Sequence, residues 1–262
     1  MCLIGIALGA HEGAPLVVAA NRDERHGRAA AAAAVWEVGG VEVLAGRDLE
    51  GGGTWLGVTA AGRFAALTNY RSPMEIARSA AGGPSRGGLV AEFLGGAEGP
   101  EAFGRRLAGR AAAFAGFNLV FGDGDSWWSY GSVGGRLARL APGIYGLSNH
   151  LLDTPWPKVE RLKGAMVHAL AGPEVDLGAL RVALADRGGA PDEALPDTGV
   201  GRELERFLAP PFIAGESYGT RASTIVVRDR HGRVRFEEAR FGPEGRPLGV
   251  GVHHLAAPRA AR

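Results

Sequence analysis

The chain has 262 residues, 46 % of them hydrophobic, enough to bury a sizeable core as one large domain or two small ones. Twenty-nine basic residues against 28 acidic ones leave a formal net charge of +1, which argues against a long basic face for nucleic acid. No stretch approaches the roughly 18 consecutive apolar residues that a spanning helix needs, and the 43 glycines follow no three-residue period, which excludes collagen and favours tight turns.

In chain order, the run from Cys2 to Leu8 reads as a first buried strand; it lacks the positive leading region of a signal peptide and passes straight into His11 and Glu12. Leu16 to Ala20 reads as a second strand, antiparallel to the first across the loop 10–14. The polar run Asn21-Arg22-Asp23-Glu24 follows it and is expected at the end of the sheet, near Cys2, whose thiol is expected to lie accessible at a sheet edge. Ala29 to Ala34 reads as a surface loop. Thr54 to Thr59 and Arg63 to Tyr70 form a hairpin around Ala60-Ala61-Gly62. Helical periodicity appears in Arg86 to Leu94, with Ser85 as N-cap, and in Glu101 to Phe114 behind Pro100.

Asn118 to Phe121 and Ser126 to Tyr130 make a second hairpin. Pro157 to Leu170 keeps Val159, Leu162, Met166, Val167 and Leu170 on one helical face, and Leu177 to Ala185 and Glu203 to Leu208 are further helices, separated by a surface loop from Gly188 to Gly201. Arg221 to Arg228 and Arg233 to Glu238, joined by Asp229-Arg230-His231-Gly232, are the clearest hairpin. The tail from Ala256 to Arg262 is expected to fray. With no long linker, residues 1–262 read as one α+β domain with mostly antiparallel sheets.

Residue usage directs attention to chemistry. The chain has 27 arginines and two lysines, no glutamine and four asparagines: Asn21, Asn69, Asn118 and Asn149. A GC-rich, thermophilic source drives such usage, because thermolabile amides are depleted there. An amide kept against that trend is expected where its hydrogen bonding is needed, and Asn118, inside an apolar run, is the weakest candidate of the four. The single cysteine cannot form an internal disulfide, which fits a reducing cytoplasm.

Removal of Met1 would leave Cys2 carrying both a thiol and a free α-amine, a nucleophile and a base in one residue, with reference pKa values near ~8.5 and ~7.7–8.0. The competing reading is a small buried strand residue. Asn69 and Asn149 are candidate oxyanion donors, an amide in that role being worth roughly 2.7–4 kcal/mol. Tyr70 and Arg71 add a donor and a cation, His150 shares a turn with Asn149, and Arg221 is a candidate carboxylate anchor. The seven histidines show no metal-ligand spacing, so no metal is expected, and the glycine clusters lack the lysine of a phosphate loop, so no nucleotide is implied. Phe117, Trp127 and Trp128 read as core or as the wall of an apolar pocket.

Taken together, Cys2, Asn21-Arg22-Asp23-Glu24, Thr54-Trp55-Leu56-Gly57, Thr68-Asn69-Tyr70-Arg71, Gly146-Leu147-Ser148-Asn149 and Thr154-Pro155-Trp156-Pro157-Lys158 resemble the NRDE family, also called the transport and Golgi organisation protein two family. That family is similar to the N-terminal nucleophile hydrolases of the penicillin V acylase and bile-salt hydrolase type, which implies a four-layer αββα sandwich. The resemblance implies a cysteine amidase acting on a linear or cyclic amide of a small acyl compound. It would use Cys2, Asp23, Asn69, Asn149 and Arg221 in catalysis, with Asn21, Arg22, Tyr70 and His150 around the substrate. The acylases carry an arginine three residues before the aspartate, where this chain has Ala20, with Arg22 one residue before it. The alternative implied by the family is a non-catalytic carrier of haem or an acyl lipid. Neither reading needs a cofactor, a nucleic acid or a membrane span.

Overall fold

A computed structural model describes residues 2–257. Met1, and the part of the expected frayed tail from Pro258 onward, lie outside the described residues. In chain order the elements are β1 (Cys2–Leu8), β2 (Leu16–Arg25), β3 (Ala30–Val38), β4 (Val41–Asp48), β5 (Leu56–Thr59), β6 (Phe64–Asn69), α1 (Pro73–Ala80), α2 (Gly87–Gly95) and α3 (Pro100–Ala108). They continue as β7 (Phe117–Gly122), β8 (Trp127–Gly131), β9 (Arg136–Leu140), β10 (Gly143–Leu147), α4 (Pro157–Ala169), α5 (Leu177–Leu184), α6 (Arg202–Leu208), β11 (Tyr218–Arg228), β12 (Val234–Phe241) and β13 (Pro247–Leu255).

The strands form two antiparallel sheets, one ordered β10-β1-β2-β11-β12-β13 and the other β3-β4-β5-β6-β7-β8-β9. Ile4, Ile6, Leu16, Val18, Phe64, Val120 and Phe236 fill the space between them. Helices α2 and α3 cover the outer face of the seven-stranded sheet through Leu89, Phe93, Phe103 and Leu107, and α4 and α5 cover the outer face of the six-stranded sheet through Val159, Leu162, Met166 and Leu180. This is the four-layer αββα sandwich. The layering explains why β1 is apolar at every position: an inner strand with helices on one face and a second sheet on the other has no solvated side.

The three expected hairpins form as β5–β6, β7–β8 and β11–β12, and β1 pairs with β2. Four expectations need correction. The polar run Asn21 to Glu24 does not follow the second strand but continues it, because β2 is paired on both sides out to Arg25. Ala30 to Ala34, read as loop, is the start of β3; alanine has little strand preference of its own, and the pairing with β4 supplies it. Ser85 does not cap α2 with its side chain; Arg86 holds the cap position without a side-chain bond. The third helix ends at Ala108, before a separate 3-10 turn at Ala111–Ala113.

One close approach sets the depth of α4. Gly5 of β1 lies opposite Gly146 of β10, and a Cβ at Gly5 would overlap Met166 Sδ while one at Gly146 would overlap Val159 Cγ1. The paired glycines let the helix settle against the sheet backbone. Gly5→Ala is therefore expected to destabilise the chain by about 1–3 kcal/mol through overpacking, read as a lower urea midpoint at unchanged slope; an unaltered midpoint would show that α4 shifts at no cost.

Candidate active site

The site lies where β1 begins and β2 ends. Cys2 stands directly opposite Arg22, and Arg22 stands opposite Ala222 of β11. Side chains alternate along a strand, so Cys2, Arg22 and Glu24 turn into the space between the sheets while Asn21 and Asp23 turn toward the helical layer. Cys2 is 7 % exposed and sits on an inner strand, so it is not the accessible edge residue expected from the sequence. It lines a cavity of about 880 Å³ instead.

Burial pushes the Cys2 thiol above its ordinary pKa, and the nearby Asp23 carboxylate adds to the rise; the Arg22 guanidinium and the Asp23 backbone N–H act in the opposite sense without overcoming it. Asp23 is buried too, and its Oδ1 accepts a 2.7 Å hydrogen bond from Thr220 Oγ1. Desolvation raises its carboxyl despite Lys158, Thr220 and Arg71, which favour the charged form. Arg22 leans toward Asp48 at 3.6 Å, and Arg28 reaches the same carboxylate oxygen at 2.8 Å. A bulge between Thr220 and Ala222 displaces Arg221, whose Nη1 donates to the carbonyls of Arg25 and Arg28 at 2.8 and 3.0 Å.

Asn69, at the end of β6, lines the same cavity beside Tyr70. Its carbonyl accepts a 3.0 Å bond from Asn149 Nδ2, and the Asn149 carbonyl accepts from Arg71 N at 2.7 Å, so the two segments are tied together. Ser148 Oγ donates to the Cys2 carbonyl at 3.1 Å and connects this turn to β1. Tyr70 packs on the His150 ring at 4.9 Å, and His150 Nδ1 lies 2.9 Å from Thr154 Oγ1. Burial and then the Arg71 charge hold His150 below the usual imidazole range.

Of the nine residues singled out from the sequence, Cys2, Arg22, Asp23, Asn69, Tyr70 and Arg221 line the cavity. Asn21, Asn149 and His150 do not. Asn21 is fully buried under the helical layer, where its Nδ2 donates to the carbonyls of Leu184 and Pro211 and its Oδ1 accepts from Ser223 Oγ. Asn118 likewise bonds Thr68 Oγ1 and the His150 carbonyl. Phe117 and Trp127 belong to the packed interior.

The sequence reading passed over a buried charged group beneath Asp23. Lys158, near the start of α4, is 3 % exposed and donates from Nζ to the Leu208 carbonyl at 2.9 Å. Beside it Arg71 pairs with buried Glu205 and lies 4.6 Å from the Trp156 ring. The signal was present: Lys158 is one of two lysines in an arginine-rich chain. Burial pushes it down to about 8, with Asp23 favouring and Arg71 opposing its charge. The folded protein therefore binds fewer protons at Lys158 than the unfolded chain between about pH 8 and the ordinary lysine value near ~10.4, so this group's contribution to stability rises with pH across that window. Denaturation of wild type and Lys158→Met is expected to show their difference moving in favour of wild type from pH 8 to 10; a flat difference would mean the ammonium is not desolvated.

The residues of this site can be set beside known proteins. A family model described as Transport and Golgi organisation 2 matches residues 1–243. The Transport and Golgi organization protein 2 homolog of Bos taurus is 39 % identical over 240 residues, and that of Homo sapiens 36 % over 241, each alignment covering 85 % of both chains. Among solved structures, the C2A mutant of the conjugated bile acid hydrolase from Clostridium perfringens superposes with a TM-score of 0.54 at 10 % identity, over 97 % of this chain and 92 % of that one. That likeness is one of fold, and it agrees with the four-layer αββα sandwich that the family resemblance implies. On the family match and the relatives together, this chain belongs to the Transport and Golgi organisation 2 family.

Proposed function

We propose that this chain is an N-terminal nucleophile amidohydrolase that cleaves a linear or cyclic amide of a small acyl compound, with Cys2 as nucleophile. The observation that carries the reading is the placement of Cys2, Asp23, Asn69 and Arg221 around one cavity of about 880 Å³, a volume suited to a small molecule. The structural neighbour is named for hydrolysing conjugated bile acids, and its C2A label places a cysteine at that protein's second position.

In this reading, removal of Met1 exposes the Cys2 α-amine. The amine takes the thiol proton as Sγ bonds to the substrate carbonyl carbon, which answers the raised pKa of the buried thiol. The oxygen of the tetrahedral intermediate takes up negative charge and is met by the Asn69 side-chain amide. The C–N bond then breaks, and the leaving amine takes the proton back. Water attacks the resulting thioester, releasing the acid and restoring the thiol. Asp23 orients the amine; Lys158 and Thr220 favour its charged form, against the larger effect of desolvation, which raises its carboxyl. Asn149 enters as the residue that holds Asn69 in place, Asn21 and His150 as supports of the strand and of Tyr70, and Arg221, Arg22 and Tyr70 as contacts to the substrate.

Intact mass is expected to show a chain lacking Met1. Across a panel of N-acyl 4-nitroanilides, lactams and penicillin V, Cys2→Ala is expected to reduce amide cleavage to background while the variant stays folded. Equal background rates for wild type and Cys2→Ala, with saturable one-to-one haem binding, would favour a carrier instead. Asn69→Ala is expected to lower turnover by roughly 10²- to 10³-fold with little change in melting temperature. A large loss of stability at unchanged turnover would reduce Asn69 to a turn residue.

A further inference from the structure

The cavity wall carries eight arginines against six carboxylates, and the carboxylates are unevenly shared. Arg22 and Arg28 converge on Asp48, and Arg78 pairs with Glu75 at 3.2 Å. Arg240, on β12, has no carboxylate within ion-pairing distance among the described residues. Its neighbour on the same face, Glu238, is turned to the facing sheet, where Oε1 accepts from Ala33 N at 2.8 Å; burial pushes that carboxyl up, while the charges of Arg240, His253 and Arg22 act on it in the opposite sense from beyond ion-pairing distance. Across the cavity Arg86 has only neutral partners, the Gly116 carbonyl at 3.2 Å and Ser79 Oγ at 3.0 Å.

The sheet register turns this excess charge into a measured track. Cys2 is opposite Arg22, Arg22 opposite Ala222, and Ala222 opposite Arg240. Directly opposed residues share a face, so all four project between the sheets, and the three strand spacings from Cys2 to Arg240 amount to about 14 Å. Ala222 is the small residue of the row, leaving a trough between Arg22 and Arg240, and Gly249 of β13 follows opposite Arg240. A partly desolvated guanidinium without a carboxylate is a forked donor set that matches a carboxylate or a phosphate.

We propose that the cavity binds an acyl amide whose chain ends in an anionic group, lying along this row with its carbonyl at Cys2 and its anion at Arg240. The reading rests on Cys2 being the attacked end and names the substrate class for that site. An extended twelve-carbon chain spans about the distance between the two residues. Arg22, one strand from Cys2, shares Asp48 with Arg28, and Arg240, three strands from Cys2, is the terminal anchor.

The test measures binding apart from turnover. Titration calorimetry on Cys2→Ala uses three probes: dodecanedioic acid mono-4-nitroanilide, its methyl ester, and the analogue ending in a phosphonate. The acid is expected to bind at least about tenfold tighter than the ester at low ionic strength, the size of one charge-assisted contact, with the preference shrinking as salt is added. Adding Arg240→Gln is expected to abolish the preference and leave ester affinity unchanged, and Arg240→Lys to keep part of it. A tighter phosphonate identifies a phosphate-ended ligand, a tighter carboxylate a diacid; both support the anchor. Equal binding of acid and ester, a preference that survives Arg240→Gln, or no measurable binding of any probe overturns it. The acid-versus-ester comparison and its salt dependence need no Arg240 variant, so they decide the matter even where Arg240→Gln fails to fold. Failure of the Cys2-intact protein to cleave the same anilide, with the acid preference present, would remove the hydrolase reading and leave the anion anchor standing.

Discussion

Everything at this site depends on β2 being held on both sides through its polar end. A strand that carries Asn, Arg, Asp and Glu in succession has no reason to remain extended between two layers, since each buried polar group costs free energy unless it finds a partner. Here β1 pairs with it on one side and β11 on the other as far as Arg25. The alternation of the strand then sorts the four side chains without further instruction. Asn21 bonds two carbonyls and a hydroxyl under the helices, Asp23 meets Thr220, and Arg22 and Glu24 face the cavity with Arg28 and Asp48. Moving the register by one residue would exchange the two sets and bury the guanidinium against α5.

The electrostatics follow from that sorting. Asp23 is pressed from the helical side by Lys158 and Arg71, and Arg71 is compensated by Glu205, which also accepts from Thr198 N at 3.1 Å. A buried chain of charges of this kind is weak evidence for stability, because desolvation offsets most of the attraction. Its effect is on geometry: it fixes the floor beneath Cys2 while the cavity above is left with more arginine than carboxylate. Ala20, where the acylases carry an arginine, is completely buried between the sheets, and Arg22 lies on the same face one strand repeat nearer the cavity.

Much of the fold was legible because local signals agreed with the global one. The three hairpins had turn residues between alternating or apolar runs, and α4 had a proline start and an apolar face on which Val159, Leu162 and Met166 are buried, although Val167, expected there, is exposed. What escaped was decided by neighbours distant in sequence. The alanine run of β3 becomes a strand through β4 and through Glu238, which lies 205 residues away from the Ala33 N–H it accepts. The strands β10 and β13 are short or exposed and carry little pattern of their own. For the site, motif identity located Cys2, Arg22, Asp23, Asn69, Tyr70 and Arg221, whereas only the folded chain shows that Asn21, Asn149 and His150 stand outside the cavity. Lys158 is marked in the sequence only by the rarity of lysine, and Arg240 by nothing, because a lone cation in a sequence does not reveal whether a carboxylate will stand beside it.

The opposed glycines Gly5 and Gly146 have a meaning beyond packing density. They let α4 rest on the backbone of the strand that bears Cys2, with no side chain of that strand or of β10 held between them at this point. Lys158 is at the end of that helix nearest the site. Its depth below Asp23 is thereby referenced to the same strand as the thiol. The outer layer of the sandwich works as a datum for charge: the depth of the ammonium is set by the backbone of β1 and β10 rather than by the walls of the cavity.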